Sequence, residues 1–111
     1  MQVSVSNEGA VTVLKPTGPI IVGELEELDE RLSKLSRNWT KRIIINMGNV
    51  IFVDSAGLEL INRYRKELDT RGLKLKLGGL NEMTQQIFEL TRLSKQFEIF
   101  PDIISAVRSF L

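Results

Sequence analysis

Val3 and Val5 alternate with polar neighbours, and Val11 and Val13 repeat the pattern after Asn7-Glu8-Gly9. Period-two alternation on either side of a turn predicts two short strands. Thr17-Gly18-Pro19 closes the second strand. Leu25, Leu28, Leu32 and Leu35 then recur at helical spacing, the stripe of an amphipathic helix. Ile43-Ile44-Ile45 does not alternate. A continuous β-branched run suits a central strand buried on both faces, with helices above and below it.

A second helical stripe, Leu58, Ile61, Tyr64 and Leu68, runs through residues 55–70. Glu59/Arg63 and Arg63/Glu67 stand four apart on it as ion pairs. Leu73, Leu75 and Leu77 alternate with Lys74 and Lys76 before Gly78-Gly79, read as a strand exit. Strand, helix and strand with that crossover predict a right-handed βαβ unit. Asn81 is the N-cap of a helix whose core face is read as Met83, Ile87 and Leu90. A short strand over 97–100 and a last helix starting at Pro101 complete the chain. Trp39, alone before Lys41, is read as a plug at the edge of the core. The expected fold class is α/β, one domain over residues 1–111. It should hold an open mixed β-sheet of four to five strands with about four packed helices.

Composition narrows the chemistry. The chain has 15 Lys and Arg against 14 Asp and Glu, a formal charge of +1, so direct nucleic-acid binding through a basic field is not expected. Residues 24–30 are mostly acidic, and Arg31, Lys34 and Arg37 follow, a distribution that complements a helix macrodipole. Histidine and cysteine are both absent. That removes Ser-His-Asp and Cys-His machinery, thiolate chemistry and Cys/His metal sites. No phosphate-cradling glycine motif occurs. No apolar stretch is long enough to span a bilayer, and the start lacks the pattern of a secretory signal. The chain is therefore expected to be cytoplasmic, without membrane insertion, metal or cofactor, and not an enzyme.

The informative segment is Asn49-Val50-Ile51-Phe52-Val53-Asp54-Ser55-Ala56-Gly57-Leu58. An apolar run stops at Asp-Ser-Ala-Gly and a helical period begins at once. Open α/β sheets gather functional groups where strands end and helices start. Ser55 is a good N-cap, which by itself explains a serine there. Ala56 and Gly57 add a second reading, because glycine costs a helix about 1 kcal/mol relative to alanine and needs a reason. Small side chains would leave the Ser55 hydroxyl exposed and let a partner approach. A phosphate on Ser55 would add about −1.5 to −2 charges at the positive helix end, beside the Asp54 carboxylate.

Val53-Asp54-Ser55-Ala56-Gly57-Leu58 resembles the D-S-[SAT]-G-L signature of the STAS domains, specifically the bacterial anti-sigma factor antagonists. Asn62-Arg63-Tyr64-Arg65-Lys66 is similar to a basic-aromatic stretch later on the same helix of those proteins. Residues 88–97 resemble their F-x-L-T-x-L-x-K-x-F segment. The resemblance covers essentially the whole chain and implies a small STAS-like domain over residues 1–111. It also implies partner switching: the unphosphorylated antagonist binds an anti-sigma factor serine/threonine kinase, which then releases its sigma factor. ATP-dependent phosphorylation ends that interaction, and a PP2C-type phosphatase restores it. Carried over, Ser55 is the phosphoacceptor, Asp54, Ala56 and Gly57 form its loop, and Gly57 permits close approach. The helix face beside it, at Glu59 and Asn62, is the expected partner footprint. Ile21 departs from the pattern, standing where many antagonists carry an aspartate; it is read either as core or as an altered partner surface. The alternative class is a STAS adaptor subunit of a signalling or lipid-transport complex, with Ser55 only a cap.

Overall fold

In the computed structural model, which describes residues 1–111, β1 (Gln2–Glu8) pairs antiparallel with β2 (Val11–Thr17). Gly9 turns the chain at φ 63°, a left-handed backbone that glycine adopts without steric cost. β3 (Arg42–Asn46), β4 (Lys74–Gly78) and β5 (Ile99–Phe100) each run parallel to the strand before them. The sheet order is β1-β2-β3-β4-β5. Helices α1 (Glu26–Arg37), α2 (Ser55–Asp69) and α3 (Glu82–Leu90) make the crossovers, and α4 (Ile103–Arg108) ends the chain.

The isoleucine run of β3 divides its side chains between two layers. Ile43 and Ile45 enter the main core with Leu28 and Leu32 of α1, Leu58, Ile61 and Leu68 of α2, and Phe88 of α3. Ile44 points the other way, into a smaller cluster with Val11, Val13 and Ala106 of α4. All three are fully buried, each stabilising the fold by about 1.5–3 kcal/mol relative to exposure. Three helices thus cover one face of the sheet and α4 alone covers the other.

Several expectations need correction. On α3 the inward residues are Thr84 and Phe88 with Ile87 partly buried, whereas Met83 is exposed and Leu90 is 85% exposed. The reason is Phe97, beyond the 3₁₀ turn Leu93–Lys95, whose ring meets Phe88 edge-on at 5.6 Å and fixes the helix's rotation. Trp39 does not plug the core. It is exposed, with Arg71 stacked 4.7 Å from its ring centre. Pro101 precedes the last helix rather than opening it, because Asp102 caps α4 by accepting from the Ser105 N–H at 2.7 Å. Asn81 caps α3 as expected, accepting from the Thr84 N–H at 2.7 Å.

Candidate functional site

The site stands at the carboxyl ends of β2 and β3. Past β2 the chain keeps pairing: the Gly18 N–H donates to the Asn49 carbonyl at 3.0 Å, and the Ile20 N–H to that of Phe52 at 2.9 Å. The Asp54 N–H returns a bond to the Ile20 carbonyl at 3.2 Å, and Ile20 and Val53 form an isolated parallel bridge. Two loops are thereby zipped together up to the first turn of α2.

Asp54 closes the zip. Its backbone is extended (φ −91°, ψ −176°), so it is the N-cap of α2, and Oδ1 accepts from the Gly57 N–H at 2.9 Å. Oδ2 accepts from the Val22 N–H at 2.9 Å. The Val22 and Gly57 amides hold the carboxyl below the usual carboxylate range. This corrects the reading of Ser55 as the cap. Ser55 is the first helical residue, exposed, and its hydroxyl is released from capping. Gly57 is corrected as well. A Cβ there would stand 2.2 Å from the Ile20 carbonyl oxygen and 2.9 Å from Ile20 Cγ2 and Val53 Cγ1. The glycine admits the chain's own β2 extension, not a partner.

Ala56, Glu59 and Asn62 line an open groove of about 540 Å³ between α1 and α2, facing Leu25 and Asp29. Its wall is braced by the Tyr64 hydroxyl, which donates to Asp29 Oδ1 and, at 3.3 Å, to the Asp29 carbonyl. Burial, and then the Asp29 carboxylate, push the Tyr64 phenol up to about 12. Arg63 pairs with Asp29 at 3.4 Å instead of with Glu59 or Glu67, and its guanidinium lies 5.1 Å from the Tyr64 ring centre. That exposed ion pair is worth about 0–1 kcal/mol. Ala56, Glu59 and Asn62 therefore share the groove, Ser55 is exposed one turn before Glu59, and Gly57 is buried.

Sequence reasoning missed an apolar rim. Val22 (73% exposed), Ile51 (67%) and Phe52 all belong to the two zipped loops. For Ile51 and Phe52 the signal was present in the run of residues 50–53, of which only Val50 and Val53 turn inward. The Asn81 side-chain amide steadies the loop by donating to the Val50 and Ile51 carbonyls at 3.2 and 3.3 Å. Of the paired isoleucines, Ile20 is fully buried and Ile21 only partly. No group of three or more acidic side chains converges enough to hold a metal ion, and no helix is long and apolar enough to cross a membrane.

The family model for the STAS domain matches residues 2–106. The anti-sigma-B factor antagonist of Staphylococcus aureus is 31% identical over 80 residues, which cover 72% of this chain and 74% of that one. The crystal structure of an anti-sigma factor antagonist from Mycobacterium paratuberculosis superposes with a TM-score of 0.90 at 19% identity, over 97% of this chain and 92% of that chain. The Bacillus cell fate determinant SpoIIAA in its phosphorylated form gives 0.74 at 16% identity, over 97% and 99%. At such identities the two structures speak for the fold. Taken with the nearly full-length domain match and the Staphylococcus relative, they make this chain a member of the STAS domain family, among the bacterial anti-sigma factor antagonists.

Proposed function

We propose that residues 1–111 act as one STAS domain that controls a cytoplasmic sigma factor by partner switching. Unphosphorylated, the chain binds an anti-sigma factor serine/threonine kinase and so frees the sigma factor. The Ser55 hydroxyl then attacks the γ-phosphorus of the kinase's ATP, ADP leaves, and the modified chain lets go. A PP2C-type phosphatase hydrolyses the phosphate and resets the cycle. One observation carries this reading: Ser55 is exposed on a helix start whose capping is done by its neighbour, so its hydroxyl is available for chemistry without loss of structure.

The partner's footprint covers Ser55, Glu59 and Asn62 and extends onto the apolar rim at Val22, Ile51 and Phe52. A phosphate set into such a contact brings charge that the interface must desolvate, which weakens binding while the fold stays as it is.

The test is incubation with an anti-sigma kinase and labelled ATP, followed by affinity measurements. Label should enter the wild type and not Ser55→Ala. Ser55→Asp should bind the kinase at least tenfold more weakly than wild type, and Glu59→Lys should also weaken it. Lys34→Glu and Arg37→Glu, on α1, should leave affinity unchanged. Equal affinity of Ser55→Asp and wild type, with no label transferred, favours the adaptor reading instead.

A further inference from the structure

We propose that the amino end of the sheet, around Trp39 and Arg71, is a docking surface for the carboxyl end of a second copy of this chain. The contact is separate from kinase binding and does not depend on it. Charge in this molecule is sorted by pole. Residues 31–42, 63–76 and 89–98 carry the chain around the amino ends of the strands and hold 13 of the 15 Lys and Arg, with four acids. Residues 16–30, 43–62, 77–88 and 99–107 carry it over the carboxyl ends and hold nine acids and no Lys or Arg. Helix macrodipoles favour this sense, but at about half a charge per helix end four helices account for roughly two charges. The poles do not neutralise each other from within. Of the side-chain ion pairs only Arg63–Asp29 joins the two sets. The molecule is also at least 25 Å across in every direction, about three times the ~8 Å screening length at physiological salt.

Trp39 makes the basic pole more than a solvated surface. It stands just past the end of α1, where its N–H donates to the Ser36 carbonyl at 3.1 Å and the Thr40 N–H to that of Leu35 at 3.0 Å. That pair of bonds calls for a left-handed residue, ordinarily glycine, and Trp39 takes φ 55° in its place. Burial does not offset the strain, because the indole is 58% exposed. Arg71 backs the ring at 4.7 Å and is itself fixed by the Ser36 carbonyl at 2.9 Å and the Ser36 hydroxyl. Arg37 and Lys41, two residues to either side of Trp39, form no ion pair. An exposed aromatic set among unpaired cations fits a surface that is apolar and acidic together. The opposite pole has one. Val22, Ile51 and Phe52 are exposed there, and next to Val22 an open cleft of about 370 Å³ is lined by Glu24, Glu26, Glu27 and Glu30. Trp39 of one copy meets the apolar rim of the next, and Arg37 and Lys41 meet the acidic cleft. Because the two surfaces lie at opposite ends of one chain, the contact is head to tail and does not close at two copies.

The experiment is sedimentation of the full chain at about 0.15 M salt and up to about 1 mM protein, which detects even a weak contact. The weight-average mass should rise past that of a dimer with concentration and return to monomer near 1 M salt, where screening acts within about 3 Å. Trp39→Gly with Lys41→Glu removes the basic surface, and Val22→Ser with Glu26→Lys the acidic one. Each double variant should be monomeric alone. Mixed in equal amounts they should form dimers and nothing larger, since one working surface of each kind remains. Trp39→Gly by itself should keep or raise the melting temperature while lowering the mass, because glycine suits that backbone. A tryptophan kept only for its stack on Arg71 would instead give a lower melting temperature and an unchanged mass, which overturns the proposal. So does a wild type that stays monomeric or stops at dimer, or a mixture that stays monomeric. A monomeric wild type that sediments with phosphatidylglycerol vesicles, and loses them in the basic-surface variant, would assign this end to an anionic membrane instead.

Discussion

Replacing Gly57 by alanine gains about 1 kcal/mol of helix propensity, yet the new Cβ meets the Ile20 carbonyl oxygen at 2.2 Å. That oxygen is backbone, bonded to the Asp54 N–H, and Ile20 is fully buried, so neither neighbour gives way cheaply. Overpacking of this kind costs about 1–3 kcal/mol. Gly57→Ala should therefore lower the unfolding free energy by about 2 kcal/mol in a denaturant titration. Ser55→Ala, at an exposed position without capping duty, should stay within about 0.5 kcal/mol. A Gly57→Ala protein as stable as Ser55→Ala would show that α2 can back away from the β2 extension. That a helix begins at Ser55, after an apolar run, was legible in the sequence; the capping residue was not. Aspartate and serine are about equally good caps, and the choice was made by the Val22 amide, far away along the chain. The exposed rim was hidden for a similar reason, since an apolar residue's burial depends on where other segments lie. Trp39 shows the same limit: it sits at φ 55°, a left-handed backbone unusual for so large a residue.

Among whole elements, long stripes were readable and short ones were not. α2 spans 15 residues and buries Leu58, Ile61, Tyr64 and Leu68, the set its spacing marks. α3 has nine residues, too few turns for its stripe to be unambiguous, and the Phe97 ring decided which side faced in. This gives a sharp contrast between two substitutions. Phe88→Ala should cost about 3–5 kcal/mol, because it empties a fully buried aromatic site. Leu90→Lys should stay within about 0.5 kcal/mol in either direction. Thermal or denaturant melts of both variants decide it; comparable losses would mean that α3 is rotated from the position described. Lys76 reveals a different blind spot. Alternation in β4 sends it away from the main core, but α4 covers that face, and the lysine is buried. Its ammonium lies 4.0 Å from the Phe110 ring centre, donates to Ser109 Oγ at 2.9 Å and pairs with Glu98 at 3.6 Å. A strand's period tells which residues share a face, but not whether that face meets water.

The response of the whole molecule to pH follows from a few fixed groups. The carboxyls of Asp54, Asp69 and Asp102 are held below their ordinary value of 3.8, by the Val22 and Gly57 amides, by Lys74, and by the Ser105 amide. For a depressed carboxyl the unfolded chain takes up protons first, so its stabilisation is complete well above 3.8 and is lost as pH falls through the lower folded values. At the alkaline end the sign reverses. Tyr64, raised to about 12 by burial and Asp29, and Lys74, raised by Asp69, keep their protons in the folded state after the unfolded chain has released them. That stabilisation is full below about 10 and disappears as pH climbs toward 12. With no histidine, no side chain has its ordinary pKa between about 5 and 8. Denaturant midpoints plotted against pH should show a plateau between those limits and fall on both flanks. A step inside the plateau would contradict this account. The strand order bears on something else, the birth of the chain on a ribosome. Each strand lies beside the one made just before it. Val22, Asp54 and Gly57, which lock the helix start, all emerge before β4 is translated. Every later strand adds to an open edge instead of inserting between two neighbours already paired, which keeps loop closures short. The lock around Ser55 is thus free to close while the second half of the protein is still being synthesised.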